Sequence, residues 1–502
     1  MEPHSAIGGG SRGRTAPVQL RKVLGRREVL GLAFGAMVGW GWVVLAGEMI
    51  DRAGTIGSVL AIVVGAVMVL FVGLTYAELT SALSRAGGEL SFAYVGLGPG
   101  ASFLCGWTLV LAYLSVCAFE AVALPTVVDY LFDDLAVGYM WTVAGWDVHV
   151  SWVAVGMVGA VAIGVINYLG IKLSALVQWT AAATLLLIGL SFFVPGNIRG
   201  DTANLTPLFT SWGGFLGVVI MTPFLYVGFD VIPQIAEEID FPIRAVGKLI
   251  LFSILIALVW YVLVPWTVGL TLDQQSLAGR ELATADAMSV VYGSAWGGRA
   301  LVFGGVLGII TSWNAFFIGS SRLLFAMSRG GMLPEVFSRL HPKYESPVAV
   351  IVLITAITAM APFFGRQALV WLVDAGGLAI VVGYFVVTVS FLRIRAVHPD
   401  LPRPYRTPAG GLVGILAMLA TLFFITLYLP WSPSALVWPQ EWLIILVWAV
   451  LGALFGLGAR RRIAAMGRTK QEDLILGEYA EMVRNPQSQR SAGLTEPAGG
   501  SS

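Results

Sequence analysis

Long apolar segments without charged side chains constrain this chain more than any other feature. Residues 56–74, 249–264 and 412–427 contain no Asp, Glu, Lys, Arg or His. About 20 mainly apolar residues span the hydrocarbon core of a bilayer as a helix, and a helix satisfies its own backbone hydrogen bonds in lipid. Only 12% of the residues are charged, against about 25% in soluble domains. The sequence therefore predicts an all-α polytopic membrane protein.

The same criterion applied along the chain predicts twelve transmembrane helices. These spans are 29–50, 55–79, 99–128, 152–171, 173–194, 213–236, 249–270, 300–327, 348–364, 369–392, 412–430 and 442–459. With the first span starting in the cytoplasm, the outer side receives 5 of the 30 Lys and Arg residues, namely Arg52, Arg199, Arg280, Arg299 and Arg366. Because basic residues accumulate on the cytoplasmic side, both termini are predicted to be cytoplasmic, in a plasma-membrane protein.

The chain lacks the motifs that membrane enzymes and ATP-driven pumps need. Its four histidines, His4, His149, His341 and His398, are far apart in sequence and fall in loops or the tail. No HExxH zinc motif and no GxxxxGK[ST] phosphate-binding loop is present. We therefore predict no catalytic residue, no metal site and no resident cofactor. A net charge of +1 also gives no indication of a nucleic-acid partner.

Two of the predicted spans are interrupted by glycine and proline. The interruptions lie at 35–42 in span one and at 222–233 in span six. In membrane proteins built from inverted repeats, such breaks at matching positions place a substrate site near the bilayer midplane. Glycine lowers helix stability by about 1 kcal/mol and allows close approach of the backbone to a ligand. Alternatively, these glycines only permit close helix packing.

Unwound backbone at such breaks has chemistry suited to a zwitterion. Free N–H and C=O groups in a water-poor environment can bind a carboxylate and an ammonium group. The half-helix that follows the first break adds the positive end of its dipole for a carboxylate.

Several long motifs carry a family resemblance. They are GAMVGWGWVVLAG at 35–47, YAELTSALSRAGGELSFAYVGLGPGASFLCGW at 76–107, FLYVGFDVIPQIAEEIDFPIRAV at 224–246 and SSRLLFAMSRGGMLPEVFSRLHPKYESPVAV at 320–350. Span five adds Asn167, Gly170, Lys172 and Gln178. In these segments the chain resembles the amino acid, polyamine and organocation permease family. The resemblance implies the LeuT-like fold, a 5+5 inverted repeat with broken helices 1 and 6, plus two C-terminal helices.

The resemblance also implies a domain division and an activity. The division comprises a disordered cytoplasmic N-tail (1–26), a first repeat (27–195), a second repeat (196–395), two further spans (396–462) and a cytoplasmic C-tail (463–502). Both extreme ends, 1–20 and 481–502, are predicted to be disordered. The activity would be secondary transport of amino acids by alternating access, coupled to an ion gradient or to exchange.

Site residues follow from the same resemblance. The substrate carboxylate would bind the backbone around Met37, Gly39, Trp40 and Gly41, and the amine would bind span-six carbonyls before Gly228. The substrate-binding candidates around the second break are Phe224, Tyr226, Val227, Gly228 and Asp230. Phe224 aligns with an aromatic residue that closes over the substrate from outside in relatives of the arginine/agmatine antiporter type, with an ordinary packing role as the alternative.

This sequence departs from the family pattern at three places. Trp40 and Trp42 replace small or aliphatic residues, and they would narrow the pocket, provide a cation–π surface or simply pack against a neighbouring helix. Leu185 occupies a position where some proton-coupled relatives have a lysine, so the coupling ion, Na⁺ or H⁺, is open. Thr311 and Ser312 are coupling-ion candidates through their hydroxyl groups, although such hydroxyls commonly bond to their own helix.

Charged residues within spans are costly and are functional candidates by default. Glu120 lies deep in span three, where it would pair with a cationic substrate, carry a proton or bond to a neighbouring helix. Glu48 and Asp374 are expected nearer to water. A separate inner ion-pair network is expected from Glu237, Glu238 and Arg244.

Two other functions are compatible with the sequence alone. One is a permease for amines such as ethanolamine or polyamines, which the acidic residues and tryptophans would favour. The other is a channel or a non-transporting sensor on the same fold. The partners would be an amino acid or a small amine and the membrane lipid, and the oligomeric state, including a homodimer, is open.

Overall fold

The computed structural model describes residues 20–132, 136–277, 280, 282–432 and 435–485. Ten helices in this part of the chain are long and apolar enough to span a membrane. A bent helix pair provides an eleventh span, and a shorter apolar helix at Val348–Phe364 corresponds to the remaining predicted one. The prediction of an all-α polytopic membrane protein with about twelve spans is confirmed.

The helices have the following bounds in chain order. Before residue 200 they are α1 (Arg26–Met37), α2 (Gly41–Ala53), α3 (Thr55–Ala82), α4 (Gly88–Leu97), α5 (Pro99–Leu131), α6 (Val150–Tyr168) and α7 (Ile171–Arg199). The next group is α8 (Trp212–Tyr226), α9 (Val231–Gln234), α10 (Arg244–Thr271), α11 (Gln274–Leu277), α12 (Ala283–Tyr292), α13 (Ala295–Arg329), α14 (Val348–Met360) and α15 (Ala368–Val397). The last are α16 (Gly410–Leu427), α17 (Gln440–Met466), α18 (Arg468–Leu476) and α19 (Tyr479–Arg484). Short 3₁₀ helices lie at Thr202–Leu205, Ala236–Glu238, Glu335–Ser338 and Ala361–Phe364.

A β-hairpin, which the span analysis did not predict, lies between α5 and α6. Its antiparallel strands are β1 (Tyr139–Val143) and β2 (Trp146–His149). Ala144 and Gly145 at the turn both have positive φ, 48° and 81°, as a type I′ turn requires.

The membrane helices extend beyond the predicted spans where polar residues continue the helix past the apolar core. The basic residues Arg460 to Arg462 continue α17 to Met466, whereas the predicted span ends at 459. The expected disorder from residue 481 is wrong for 481–484, which form the end of α19. The remainder of both tails, 1–19 and 486–502, lies outside the described residues.

A buried amide network joins four helices near the first break. Asn314 Oδ1 on α13 accepts hydrogen bonds from Asn167 Nδ2 (2.9 Å) and the Ser174 hydroxyl (2.8 Å). Asn314 Nδ2 donates to Gln178 Oε1 at 3.0 Å, and Gln178 Nε2 donates to the Gly31 carbonyl at 3.3 Å. Such interhelical bonds stabilise helix packing where lipid offers no partner. The network therefore fixes α13 relative to α1, α6 and α7.

We call the side of the bundle that carries Arg21, Arg393 and Arg460 the basic side. There Glu78, at the end of α3, accepts hydrogen bonds from Arg395 at 2.9 and 2.6 Å. It also pairs with Arg403 at 3.1 Å and accepts from the Thr407 amide at 2.7 Å. Only 1% of the Glu78 side chain is exposed, so this carboxylate ties the segment after α15 to α3.

We expect Glu78→Ala to destabilise the fold strongly. The substitution leaves two guanidinium groups without their carboxylate, and breaking a buried ion pair from one side costs about 3 kcal/mol or more. The measurement is the thermal unfolding midpoint of the purified protein in detergent. Glu335→Ala is the control, since Glu335 pairs with Arg339 at 3.9 Å with both side chains largely exposed and exposed pairs contribute little. Equal midpoints for the two variants would contradict this assignment.

Candidate functional site

The first break separates α1 from α2. Helix α1 ends at Met37, α2 begins at Gly41, and the two axes differ by 41°. The carbonyl group of Met37, which no longer belongs to a continuous helix, accepts a 2.6 Å hydrogen bond from the Tyr261 hydroxyl on α10. A side chain from another helix therefore holds the end of the first half-helix in place.

The second break lies between α8 and α9. Helix α8 ends at Tyr226, Gly228 has a φ of 131°, and α9 begins at Val231. Asp230 stabilises this break through both of its carboxylate oxygens. Oδ1 accepts from the Gly228 amide at 2.8 Å, and Oδ2 accepts from the Tyr113 hydroxyl at 2.9 Å. Asp230, a predicted substrate contact, is thus engaged in holding the unwound segment.

The two breaks are in direct contact with each other. A Cβ atom added at Gly228 would lie 2.7 Å from the Ala36 Cβ atom and 2.9 Å from the Met37 amide nitrogen. Any side chain at this position would therefore push the two half-helices apart. The two unwound segments, which the sequence predicts independently, form one continuous region of non-helical backbone.

Glu120 on α5, a predicted substrate contact, lies beside the first break. A Cβ atom added at Gly39 would lie 2.9 Å from Glu120 Oε1 and 3.0 Å from the Ser312 hydroxyl oxygen. The Ser312 hydroxyl is in hydrogen-bonding contact with the Glu120 carboxyl group. The other oxygen, Oε2, is buried and has no partner among the described residues. The structure thus combines a carboxyl group from α5, a hydroxyl from α13 and the unwound backbone.

The predicted gate residue Phe224 lies in the last turn of α8. Its ring packs edge-on against Phe119 with the centroids 5.5 Å apart. Phe224 and Val227 line a narrow cavity between α5 and α15, together with Ser115 and Gly376. The Tyr226 side chain turns away from this cavity, and its hydroxyl donates to the Ile62 carbonyl at 3.3 Å.

The two tryptophans of the first break make packing contacts. The Trp40 ring lies against the backbone of α13 at Gly305, which has no side chain to displace it. Trp42 packs edge-on against Trp260 with the centroids 5.2 Å apart. Both side chains are fully buried. The roles in narrowing the pocket and in binding a cation stay predictions.

The coupling-ion candidates lie next to the same break. The Thr311 hydroxyl donates to the Gly308 carbonyl of its own helix at 3.0 Å. A Cβ atom added at Gly308 would lie 2.9 Å from the Gly39 carbonyl oxygen. A Cβ atom added at Gly35 would lie 2.8 Å from the Thr311 Cβ atom, so Thr311 and Ser312 both lie on the part of α13 that packs against the end of α1 and the first break.

Comparison with known proteins shows the family to which this chain belongs. A family model for amino acid permeases matches residues 24–454, nearly the whole described chain. The chain belongs to the amino acid permease family.

Three curated relatives illustrate the range of this family. The branched-chain amino acid permease BcaP of Bacillus subtilis is 29% identical over 447 residues, covering 85% of this chain and 92% of the relative. The methylthioribose transporter of the same organism is 26% identical, covering 87% of this chain and 92% of the relative. The human cationic amino acid transporter 4 is 29% identical, covering 78% of this chain and 63% of the relative. The family and these relatives are transporters, so the comparisons favour amino acid transport over an amine permease, a channel or a sensor.

A second buried polar cluster of the permease, which sequence reasoning missed, adjoins the second break. Gln234 Nε2 donates to Glu89 Oε2 at 2.5 Å and approaches the Tyr113 hydroxyl at 3.5 Å. The rings of Tyr76 and Tyr384 complete the cluster with centroids 5.6 Å apart. Glu89 lies in the AGGEL turn of a recognised motif, but only the folded chain shows that this turn contacts α9.

The inner ion-pair network of the permease exists, with partners different from those predicted. Glu237 pairs with Arg329 at 3.0 Å and with Arg85 at 3.6 Å, and Glu238 pairs with Arg322 at 2.8 Å. The prediction that Arg244 joins this network is wrong. Arg244, the first residue of α10, is exposed and makes no ion pair with the described residues, because its side chain lies in solvent rather than in the buried network.

The N-terminal segment covers this network on the basic side. The amide groups of Val23 and Leu24 donate to the Glu238 carbonyl at 2.9 and 3.0 Å, and the Leu20 amide donates to Glu237 Oε1 at 3.1 Å. Burial raises the pKa of Glu237, but Arg329 and Arg85 lower it by more, so the pKa is below the usual range. The stabilisation from Glu237 is therefore present at neutral pH and is lost as the pH falls through that lowered pKa.

We expect Gly228→Ala to disrupt the contact between the two breaks. An alanine at a φ of 131° is strained, and such strain costs about 1–3 kcal/mol. Both uptake of amino acids and the thermal unfolding midpoint should fall. The control is Gly213→Ala near the start of α8, where nothing lies within 4 Å of an added Cβ atom. Normal uptake by the Gly228 variant would show that the close contact is not required for transport.

Proposed function

We propose that this permease moves amino acids with a positively charged side chain across the plasma membrane by alternating access, without changing them chemically. The unwound backbone at Gly39 and Gly228 would bind the carboxylate and the α-amine, as the resemblance implies. Glu120 would bind the side chain. The single observation that carries this proposal is the buried Glu120 carboxyl group, whose Oε1 lies beside Gly39 and whose Oε2 has no partner among the described residues.

The charge of Glu120 supports the assignment. A carboxylate inside a membrane protein is costly unless a positive charge pairs with it. The described ion pairs of the permease use other carboxyl groups, and none of them includes Glu120. The missing positive charge would then arrive with the substrate. The printed name of one relative, cationic amino acid transporter 4, agrees with a family member that accepts such substrates.

We expect Glu120→Gln to reduce uptake of lysine and arginine at least tenfold. The amide has almost the shape of the carboxyl group but cannot pair with an ammonium or guanidinium group. The measurement is uptake by permease reconstituted in proteoliposomes, across a panel that also contains leucine, aspartate and ethanolamine. Glu48→Gln is the control, because Glu48 is half exposed and pairs with Arg52 at 2.5 Å on the side opposite the basic side.

Several outcomes of this panel are informative. Uptake of leucine alone by the native protein would contradict the charge assignment while leaving amino acid transport intact. A changed pH dependence of leucine uptake in the Glu120 variant would make Glu120 a proton carrier instead. Unchanged uptake from pH 5 to 8 in the variant would refute any role for this carboxyl group.

We propose that transport is driven by an ion that acts beside the first break. A Na⁺ ion would bind the hydroxyl oxygens of Thr311 and Ser312 and the Gly39 carbonyl, whereas a proton would act at Glu120. We expect imposed Na⁺ and H⁺ gradients, tested separately, to distinguish the two. Thr311→Ala with Ser312→Ala should abolish stimulation by Na⁺, and Glu120→Gln should abolish stimulation by H⁺. Uptake that responds to neither gradient and to no internal substrate would overturn ion coupling and exchange alike.

The proposed orientation has both termini in the cytoplasm. It rests on the strong accumulation of Lys and Arg on the basic side, including Arg21, Arg393 and Arg460. Under this orientation, Phe224 lies toward the outside and the Glu237 network lies toward the cytoplasm.

A further inference from the structure

A cavity on the basic side lies outside the transport site. Its walls come from the N-terminal segment at Arg21, the turn between α6 and α7 at Gly170 and Lys172, and the loop at Lys343. We propose that this cavity binds the phosphate group of an anionic membrane lipid. This inference goes beyond the proposed transport function and does not depend on the identity of the transported substrate.

The charges that line the cavity do not cancel. Arg322 is paired with Glu238 at 2.8 Å, and Arg21 is paired with Glu345 at 3.6 Å. Lys172 and Lys343 have no carboxylate within 4 Å among the residues that the structure describes. Lys343 Nζ lies over the Tyr344 ring, 5.1 Å from its centroid, which leaves its charge without a carboxylate partner. Two lysines therefore line one cavity without a counter-charge, which suits a phosphate group.

Backbone groups add to this positive field. Helix α7 begins at Ile171, directly after Gly170, and its first N–H groups precede the first intrahelical bond, from Ser174 to the Gly170 carbonyl. Free N–H groups at the start of a long helix bind anions. The same turn provides Lys172, so the lysine and the helix start face the cavity together.

The opposite wall is held in a fixed position. The amides of Lys343 and Tyr344 both donate to His341 Nδ1 at 3.2 Å. The Ser346 hydroxyl donates to the Tyr168 carbonyl at the end of α6 at 2.9 Å. Because the loop is already bonded to α6, little ordering is needed when a ligand binds.

The surroundings indicate a lipid. Leu169, which lines the cavity, is 40% exposed, and the exposed side chains of Leu173, Leu176 and Trp179 continue along α7 from it. Residues three or four apart lie on one face of a helix, so Lys172, Leu176 and Trp179 form one strip from the cavity into the apolar region. A headgroup in the cavity could extend its acyl chains along this strip, as in basic lipid sites between membrane helices.

We expect phosphatidylglycerol to bind the purified permease in detergent and to raise its thermal unfolding midpoint more than phosphatidylcholine does. Lys172→Gln with Lys343→Gln should weaken phosphatidylglycerol binding, measured by native mass spectrometry, about tenfold. The control, Arg460→Gln with Arg461→Gln, removes the same charge from exposed positions on α17. It should retain binding, as should Lys172→Arg with Lys343→Arg.

Three results would overturn the proposal. If the lysine variant and the arginine control variant lost binding equally, the binding would be explained by the general positive charge of the surface. Displacement of phosphatidylglycerol by equimolar glycerol phosphate would identify a soluble phosphate ester as the ligand. Equal binding of phosphatidylcholine would remove the requirement for an anionic headgroup. All three are measured without transport, so a failure of the proposed substrate assignment would leave them unaffected.

Discussion

The close contact between Gly228 and the end of α1 is the constraint on which the central architecture depends. Non-helical backbone at membrane depth is tolerated only where protein covers it or a cavity solvates it. Here each break covers the other, and Gly305 and Gly308 allow α13 to cover Trp40 and the Gly39 carbonyl. Side chains at these glycines would separate the segments and expose unpaired peptide groups to an apolar environment. The backbone that we propose to bind substrate and the fold therefore have the same steric requirement.

The covering helix α13 is itself positioned by polar contacts. The amide network centred on Asn314 fixes the middle of this helix against α6 and α7. About two turns earlier, Gly308 and Gly305 lie against the first break. Ser312, between these two regions, contacts Glu120. The position of the carboxyl group in the proposed substrate site thus depends on a hydrogen-bond network that contains no substrate contact.

Local features of the sequence predicted the spans and the two breaks. The length of an apolar segment predicts a span without any knowledge of the neighbouring helices. Gly39 and Gly228 likewise weaken a helix whatever that helix packs against. The depth of Glu120 in its span marked it as a functional candidate, but only the folded chain shows that it lies beside the first break. Trp40 and Trp42 could not be assigned in this way, because their roles depend on Gly305 and Trp260, which lie more than 200 residues away. The ion pairs of Glu237 with Arg329 and Arg85 also join residues that are far apart in the sequence, so local features could not predict them.

The covered ion pairs on the basic side have a consequence for the energetics of opening. Three guanidinium groups, from Arg85, Arg322 and Arg329, share two carboxylates in a nearly dry space. Removing these groups from water is itself expensive, so rehydration offsets much of the attraction that is lost when the cluster separates. The geometry of the cluster therefore selects one packed arrangement, while the net free energy that keeps the cluster together stays small. The cluster thus favours one packing arrangement of these segments without making their separation prohibitively costly.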